Sequence, residues 1–261
     1  MSVKKRFVNK KGQVTAFIII AILVIALAVL AYLFFPKLKS TVETKTQSPN
    51  EYIQTCMSQE ISNILKNLSL NGGSVNSEKG NSYFYLGNNV EYLCYTNQYY
   101  IPCVIQQPLL IQHIESETKN NIQDDVNSCF VSLVANYKNN GYDTSLKYPT
   151  TDIKVELLPQ RVVVSFNNVL TITKGESQTF SNFSVVLNTN IYQEATIANS
   201  IIGWEEELGN APVSSYMDWY PNLKIEKISE TDGSKIYVII DRDFGDKFQF
   251  ASRSMVLPAG Y

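Results

Sequence analysis

The sequence predicts an α+β fold: one N-terminal transmembrane helix, then an extracytoplasmic domain of antiparallel sheet packed with two or three helices. Three observations predict it. Val14 to Phe35 is a 22-residue run without a charged residue. Apolar residues recur at helical spacing through residues 49–70 and again through 108–139. From residue 151 the hydrophobic period changes to two, as on half-buried strands.

The apolar run has the length a helix needs to cross a bilayer core, roughly 20 residues. Lys4, Lys5, Arg6, Lys10 and Lys11 precede it, and Lys37 and Lys39, soon met by Glu43, follow it. The excess of positive charge before the run puts the N-terminus in the cytoplasm and the remainder outside. The chain therefore reads as a basic cytoplasmic segment (1–13), an anchor (14–36), a polar stalk (37–47) and an extracytoplasmic body (48–261), with a subdivision of the body considered near 145–150. Seven of the 22 basic residues and none of the 24 acidic ones lie in the first 39 residues, so residues 40–261 carry 15 basic and 24 acidic residues and a net charge of −9. Such a body is unsuited to binding nucleic acid through phosphates.

All four cysteines, Cys56, Cys94, Cys103 and Cys129, fall on the outer side, where thiols ordinarily pair. Four cysteines allow three connectivities. The favoured one joins Cys94 to Cys103 across a short hairpin and Cys56 to Cys129 between two helices. A zinc site is the alternative, and no C-x-x-C spacing supports it.

Ser48-Pro49-Asn50-Glu51 starts the first helix of the body, with Ser48 as cap, Pro49 in the first turn and Glu51 completing a capping box. Ile53, Met57, Ile61, Ile64, Leu65 and Leu68 form its stripe; Asn71-Gly72-Gly73 ends it. Residues 74–104 have no helical period and are crowded with tyrosines, which reads as short strands and a disulfide-closed hairpin. Pro108 opens a second long helix with Leu110, Ile114, Ile122, Val126, Phe130, Leu133 and Tyr137 on one face, and Thr118 in the missing place. Three alternating segments follow: Ile153, Val155, Leu157; Val162, Val164, Phe166; and Val169, Thr171, Thr173. With one further strand over 178–187 they read as an antiparallel meander. A third helix over 190–208 turns Ile191, Ala195, Ala198 and Ile202 inward, with Leu208 as a further inward candidate. Strands at 223–228 and 236–240, turned at Asp232-Gly233, and a last one from Phe248 to Ala251 complete the sheet.

The stretch Lys10-Lys11-Gly12-Gln13-Val14-Thr15 resembles the class III signal of archaeal type IV pilin-like proteins. The resemblance implies cleavage by a membrane peptidase after Gly12, leaving Gln13 first, with the apolar helix kept on the product. Phe17 departs from the glutamate that bacterial pilins carry there. Lys11 to Phe17, Glu51 to Cys56, Gly72-Gly73 and Cys129 together resemble a group of uncharacterised single-span archaeal surface proteins, a likeness that brings no activity with it.

No nucleophile elbow, zinc-protease or phosphate-loop pattern occurs. The one histidine, His113, reads as a solvated or half-buried helix residue, with nothing nominating a nucleophile beside it. Asp241-Arg242-Asp243-Phe244-Gly245-Asp246 spaces carboxylates somewhat like a calcium loop but lacks the distal glutamate, and reads as a polar turn. Glu205-Glu206-Glu207 reads as a solvated charge run at a helix end. Asn67-Leu68-Ser69 and Asn182-Phe183-Ser184 fit the glycosylation pattern. Tyr85, Tyr92, Tyr95, Tyr99 and Tyr100 are candidate contact residues, because tyrosine gives large contact area at small entropic cost. These readings converge on a membrane-anchored cell-surface structural or interaction protein. It would have no catalytic activity, cofactor or metal, and a protein or glycan partner outside the cell. The alternative is a pilin-like subunit assembled through its apolar helix.

Overall fold

The computed structural model describes residues 19–27, 47–76, 81–147 and 153–256. Residues 19–27 are helical with exposed apolar side chains. No helix among the described residues is long and apolar enough to cross a membrane. The remainder of the expected anchor, the stalk as far as residue 46, and the processing residues Gly12 and Gln13 lie outside the described residues. Residues 1–46 and 47–261 form two separate units; all that follows concerns the second.

That unit is α+β. Helix α1 (Pro49–Leu70) starts where Ser48 Oγ accepts from the Glu51 amide at 3.3 Å. It buries Ile53, Met57, Ile61, Leu65 and Leu68, while Ile64 is only half-buried. Helix α2 (Leu110–Asn139) buries Leu110, Ile114, Thr118, Ile122, Val126, Phe130, Leu133 and Tyr137. Thr118 satisfies its hydroxyl on Ile114 O at 2.8 Å, which removes most of the cost of a polar group on that face. The two helices pack together and are joined by Cys56–Cys129. Phe130 of α2 meets Phe166 and Phe183 edge-on, at 6.1 and 5.0 Å between centroids.

The strands make three sheets. Sheet I runs β1 (Ser82–Tyr85), β2 (Asn88–Tyr95), β12 (Lys247–Arg253), β11 (Lys235–Asp241), β10 (Leu223–Ser229), with β3 (Val104–Ile105) also on β2. The β2–β12 pair is parallel and joins the second strand of the body to the last. Sheet II is β4 (Asp143–Lys147), β7 (Val169–Lys174), β8 (Glu176–Phe180); sheet III is β5 (Ile153–Leu158), β6 (Arg161–Phe166), β9 (Phe183–Asn188). The expected single meander is thus two sheets. The 178–187 segment breaks at Asn182, whose φ of 57° turns the chain and lets β8 and β9 serve different sheets. In β7 the inward residues are Leu170 and Ile172, one position out of phase with the Val169, Thr171, Thr173 reading. Thr171 and Thr173 instead meet Thr179 and Ser177 across the β7–β8 pair.

Helix α3 (Ile191–Leu208) packs on β11 and β12, and the short α4 (Val213–Trp219) packs on β10. Leu208 is exposed rather than inward, because the chain leaves the helix at Gly209. One main core lies between the helices and the sheets. Sheet I also has a second, smaller apolar layer of Val90, Tyr92, Ile236, Val238 and Ala251, flanked by Tyr83, Tyr85 and Tyr95. Since side chains alternate along a strand, this layer lies on the face opposite Tyr237 and Ile239. The α1–β1 connection demands glycine at position 72: φ is +82°, and a Cβ there would sit 2.9 Å from Glu91 Cβ and 3.0 Å from Glu91 N on β2.

Candidate functional site

The Cys94–Cys103 bridge closes a loop between β2 and β3, its Cα atoms 5.3 Å apart. This loop is tied to the end of β12 and the segment that follows it. Thr96 N donates to Arg253 O at 2.9 Å, and Arg253 Nη1 donates back to Thr96 O at 2.6 Å. Tyr100 N donates to Met255 O at 2.8 Å, Met255 N to Ile101 O at 3.2 Å, and Cys103 N to Ser254 Oγ at 3.1 Å. Held in this way, the loop presents Tyr99 at 65% and Tyr100 at 74% exposure, beside exposed Ile101 and Val104. Tyr100 has φ 63°, a left-handed conformation that costs a non-glycine residue about 1 kcal/mol or more and persists only where neighbours enforce it.

The five candidate tyrosines divide by environment. Tyr99 and Tyr100 stand in solvent. Tyr92 is buried, its hydroxyl 2.7 Å from Ser234 Oγ and its ring 4.9 Å from that of Tyr95. Tyr95 carries the Arg253 guanidinium 5.9 Å from its centroid. Tyr85 and Tyr95 are half-buried and flank the second apolar layer. Among the described residues no helix packs on that layer, and the tyrosines close it with ring surface while their hydroxyls stay polar. The five candidate tyrosines therefore do not form one surface: Tyr85, Tyr92 and Tyr95 belong to the second apolar layer, and Tyr99 and Tyr100 are exposed.

Two polar clusters were not anticipated. At the end of α1, Ser74 Oγ lies 2.8 Å from His113 Nε2 and hydrogen-bonds the Glu91 carboxyl, and Glu117 accepts from the Val75 amide at 3.1 Å. Burial raises the Glu91 pKa above the ordinary carboxylate value, against the Ser74 hydrogen bond and the nearby His113, which lower it. In a nucleophilic triad the carboxylate holds the imidazole and the imidazole activates the hydroxyl. Here carboxyl and imidazole both engage the same buried hydroxyl, which ties the α1–β1 connection to β2 and α2.

The second cluster corrects the reading of Glu205. It is not solvated; it is 0% exposed, on the inner stripe of α3 below Ile201 and Ile202. Glu205 Oε2 accepts from Lys235 Nζ at 2.7 Å and Ser252 Oγ at 3.1 Å, and Oε1 accepts from Tyr237. Burial and the Glu205 carboxylate push the Tyr237 phenol far up, so it remains a donor. Glu206 and Glu207 are exposed as expected.

Asp241 of the DRDFGD turn is saturated by four donors: the Asp243 and Phe244 amides at 2.8 and 3.1 Å, Asn222 Nδ2 at 3.0 Å, and Asn190 Nδ2. Those bonds hold its pKa below the usual value although burial opposes them. Asp246 accepts from Thr189 Oγ1 and Asn190 N, both at 2.7 Å. Beside them Glu194 is fully buried, and burial together with Asp246 and Asp241 pushes its pKa up to about 9.

The two sequons occupy unlike sites. Asn182 is exposed at the β8–β9 turn and Ser184 is exposed with it. Asn67 lies in the last turn of α1, its Oδ1 accepting from Asn71 Nδ2 at 2.7 Å, and Ser69 is buried. Sugar transfer to folded chain requires both the amide and the hydroxyl of the sequon to be reached. Peptide mass spectrometry of native material is therefore expected to find glycan on Asn182 and none on Asn67; the reverse occupancy would mean that modification precedes folding.

The disulfide pairs, Cys56–Cys129 and Cys94–Cys103, are those favoured from the sequence, and no described cysteine is free. Two such bridges fit an extracytoplasmic domain. No family model, curated protein or solved structure matches this chain.

Proposed function

We propose that the chain is a membrane-anchored cell-surface protein whose body binds a protein partner through the Tyr99–Tyr100–Ile101–Val104 loop and has no catalytic role. The observation that carries this reading is the clamped loop. A disulfide and five hydrogen bonds fix it, and its exposed side chains contribute little to the core. Preorganised aromatic surface of this kind lowers the entropy lost on binding. Branched Ile101 and Val104 beside the rings favour a protein pocket over a glycan, which stacks on flat aromatic faces. The apolar run with its basic flank and the acidic, disulfide-bridged body support the placement at the cell surface.

Crosslinking on intact cells tests the proposal. The Tyr99→Ser/Tyr100→Ser variant is expected to capture the partner at least about tenfold less than wild type, with unchanged melting temperature. Equal capture by the variant would refute the loop as the site. Turnover of a hydrolase substrate, lost in Ser74→Ala, would refute the absence of catalysis.

A further inference from the structure

Where the C-terminal half of α1 meets the end of β9 and the β11–β12 connection, the body keeps a cavity of about 460 Å³. Small-ligand sites span about 300–1,000 Å³. The sequence of α1 makes the space. Its stripe of Ile53, Met57, Ile61 and Leu65 fills the core, but the flank toward β9 carries Ser62, Lys66 and Ser69. These three positions share one face at helical spacing. Serine at two of them leaves room that a larger side chain would close. The opposite wall is the end of β9 and residues 245–247.

The polar groups on these walls are unengaged. Among the described residues the ion pairs join Lys154 to Glu156, Lys224 to Glu226 and Lys235 to Glu205, so neither Lys66 nor Lys247 pairs with an acid. The side chains of Ser62, Ser69 and Asn188 likewise have no protein hydrogen-bond partner among the described residues. Ser69 lines the cavity although it is only 7% exposed. The one acid on the walls is Asp246. Its Oδ2 accepts from Thr189 Oγ1 and Asn190 N, both at 2.7 Å, which leaves Oδ1 open.

Two ammonium groups against one carboxylate give the cavity a positive balance, in a body whose net charge is −9 (15 basic against 24 acidic residues over 40–261). That balance favours an anionic ligand. A compact dianion such as phosphate would pair with the lysines but meet Asp246 as a like charge. A ligand with one carboxylate and several hydroxyls suits every wall. Its carboxylate accepts from Lys66 and Lys247 in charge-assisted hydrogen bonds, and a hydroxyl donates to Asp246 Oδ1. Other hydroxyls meet Ser62, Ser69 and Asn188, while Leu65 and Leu187 face the ring C–H groups. A uronic acid carries this set of groups on one six-membered ring.

We propose that the cavity binds a uronic acid residue, with Lys66 and Lys247 on its carboxylate and Asp246 on a ring hydroxyl. A ligand of this size in a largely polar site is expected to bind with a Kd of about 1 mM. The site shares no residue with the Tyr99–Tyr100 loop, so either can fail without the other.

Thermal unfolding of the full-length chain in detergent tests this. Sodium glucuronate at about 20 mM is compared with equal concentrations of sodium acetate, sodium phosphate and glucose, and wild type is expected to gain about 4–6 °C over acetate. Lys66→Gln/Lys247→Gln is expected to fold, since neither lysine has a protein partner, and to lose the gain. Ser62→Leu keeps both charges and fills the space from an exposed position; it is expected to lose the gain as well. Lys119→Gln, which removes an exposed lysine of α2, is expected to retain it. The proposal is overturned by no gain in wild type, by an equal gain in Lys66→Gln/Lys247→Gln or Ser62→Leu, or by loss in Lys119→Gln. A gain as large with phosphate or with glucose overturns it too, since the site would then read charge alone or hydroxyls alone.

Discussion

Lys235→Met is expected to destabilise the body by about 3–5 kcal/mol, the cost of leaving a buried charge without its partner. Lys235 reaches Glu205 Oε2 at 2.7 Å, and its ammonium also donates to Gly209 O at the end of α3. Removing it leaves the Glu205 carboxylate at 0% exposure with only the Tyr237 and Ser252 hydroxyls as donors. Methionine matches the aliphatic stem, so the loss reports charge and hydrogen bonds rather than a cavity. The melting temperature is expected to fall by about 10–15 °C. Adding Glu205→Gln to Lys235→Met is expected to restore much of the loss, because the second change removes the orphaned charge; equilibrium unfolding of the four proteins in a double-mutant cycle measures the coupling. A cost below about 1 kcal/mol for Lys235→Met would show that water reaches Glu205 and that the cluster does not hold α3 to sheet I.

The burial of Glu205 also shows where sequence reading stops. Helical spacing placed α1 and α2 and their buried faces correctly, because one stripe of large apolar residues has one way to be buried. The same spacing runs through Ile191, Ala195, Ala198 and Ile202 to Glu205, yet the neighbouring Glu206 and Glu207 make that position look solvated. Its partners Lys235 and Ser252 are on strands far along the chain, and local pattern carries no record of them. The parallel β2–β12 pair has the same character: a strand is expected in each segment, and their adjacency is set by the closing of sheet I. Helix α4 spans only Val213–Trp219, too short for a period to register, and β4 alternates mostly with polar residues. Of the display loop, the cysteines and tyrosines were legible. Which rings face water was not: Tyr92 lies on β2 within the second apolar layer, and Tyr99 lies in the exposed turn after it. Ser74 and His113 are brought together by the glycine turn at 72–73, a contact that a single histidine in a helix does not announce.

The Cys56–Cys129 bridge should carry the other large effect, and its comparison with Cys94–Cys103 separates stability from display. The first pair spans 73 residues and the second 9. On the chain-entropy account the long loop contributes about 4 kcal/mol and the short one about 2.5 kcal/mol. Cys56→Ser/Cys129→Ser is therefore expected to lower stability more in equilibrium urea unfolding, yet to fold, because Ile53, Met57 and Ile61 of α1 and Phe130 and Leu133 of α2 remain in the shared core. Its steeper dependence on urea is expected to report a more expanded unfolded chain. Since α1 and α2 do not form the loop, that variant should capture the surface partner as well as wild type does. Cys94→Ser/Cys103→Ser should behave oppositely. It loses less stability, but the Tyr100 conformation is then held only by its bonds to Met255 and its neighbours, and capture should fall with it. A Cys56→Ser/Cys129→Ser variant within about 1 kcal/mol of wild type would assign the α1–α2 pairing to side-chain packing alone. Full capture by Cys94→Ser/Cys103→Ser would show that the hydrogen bonds to the segment after β12 suffice to present the rings.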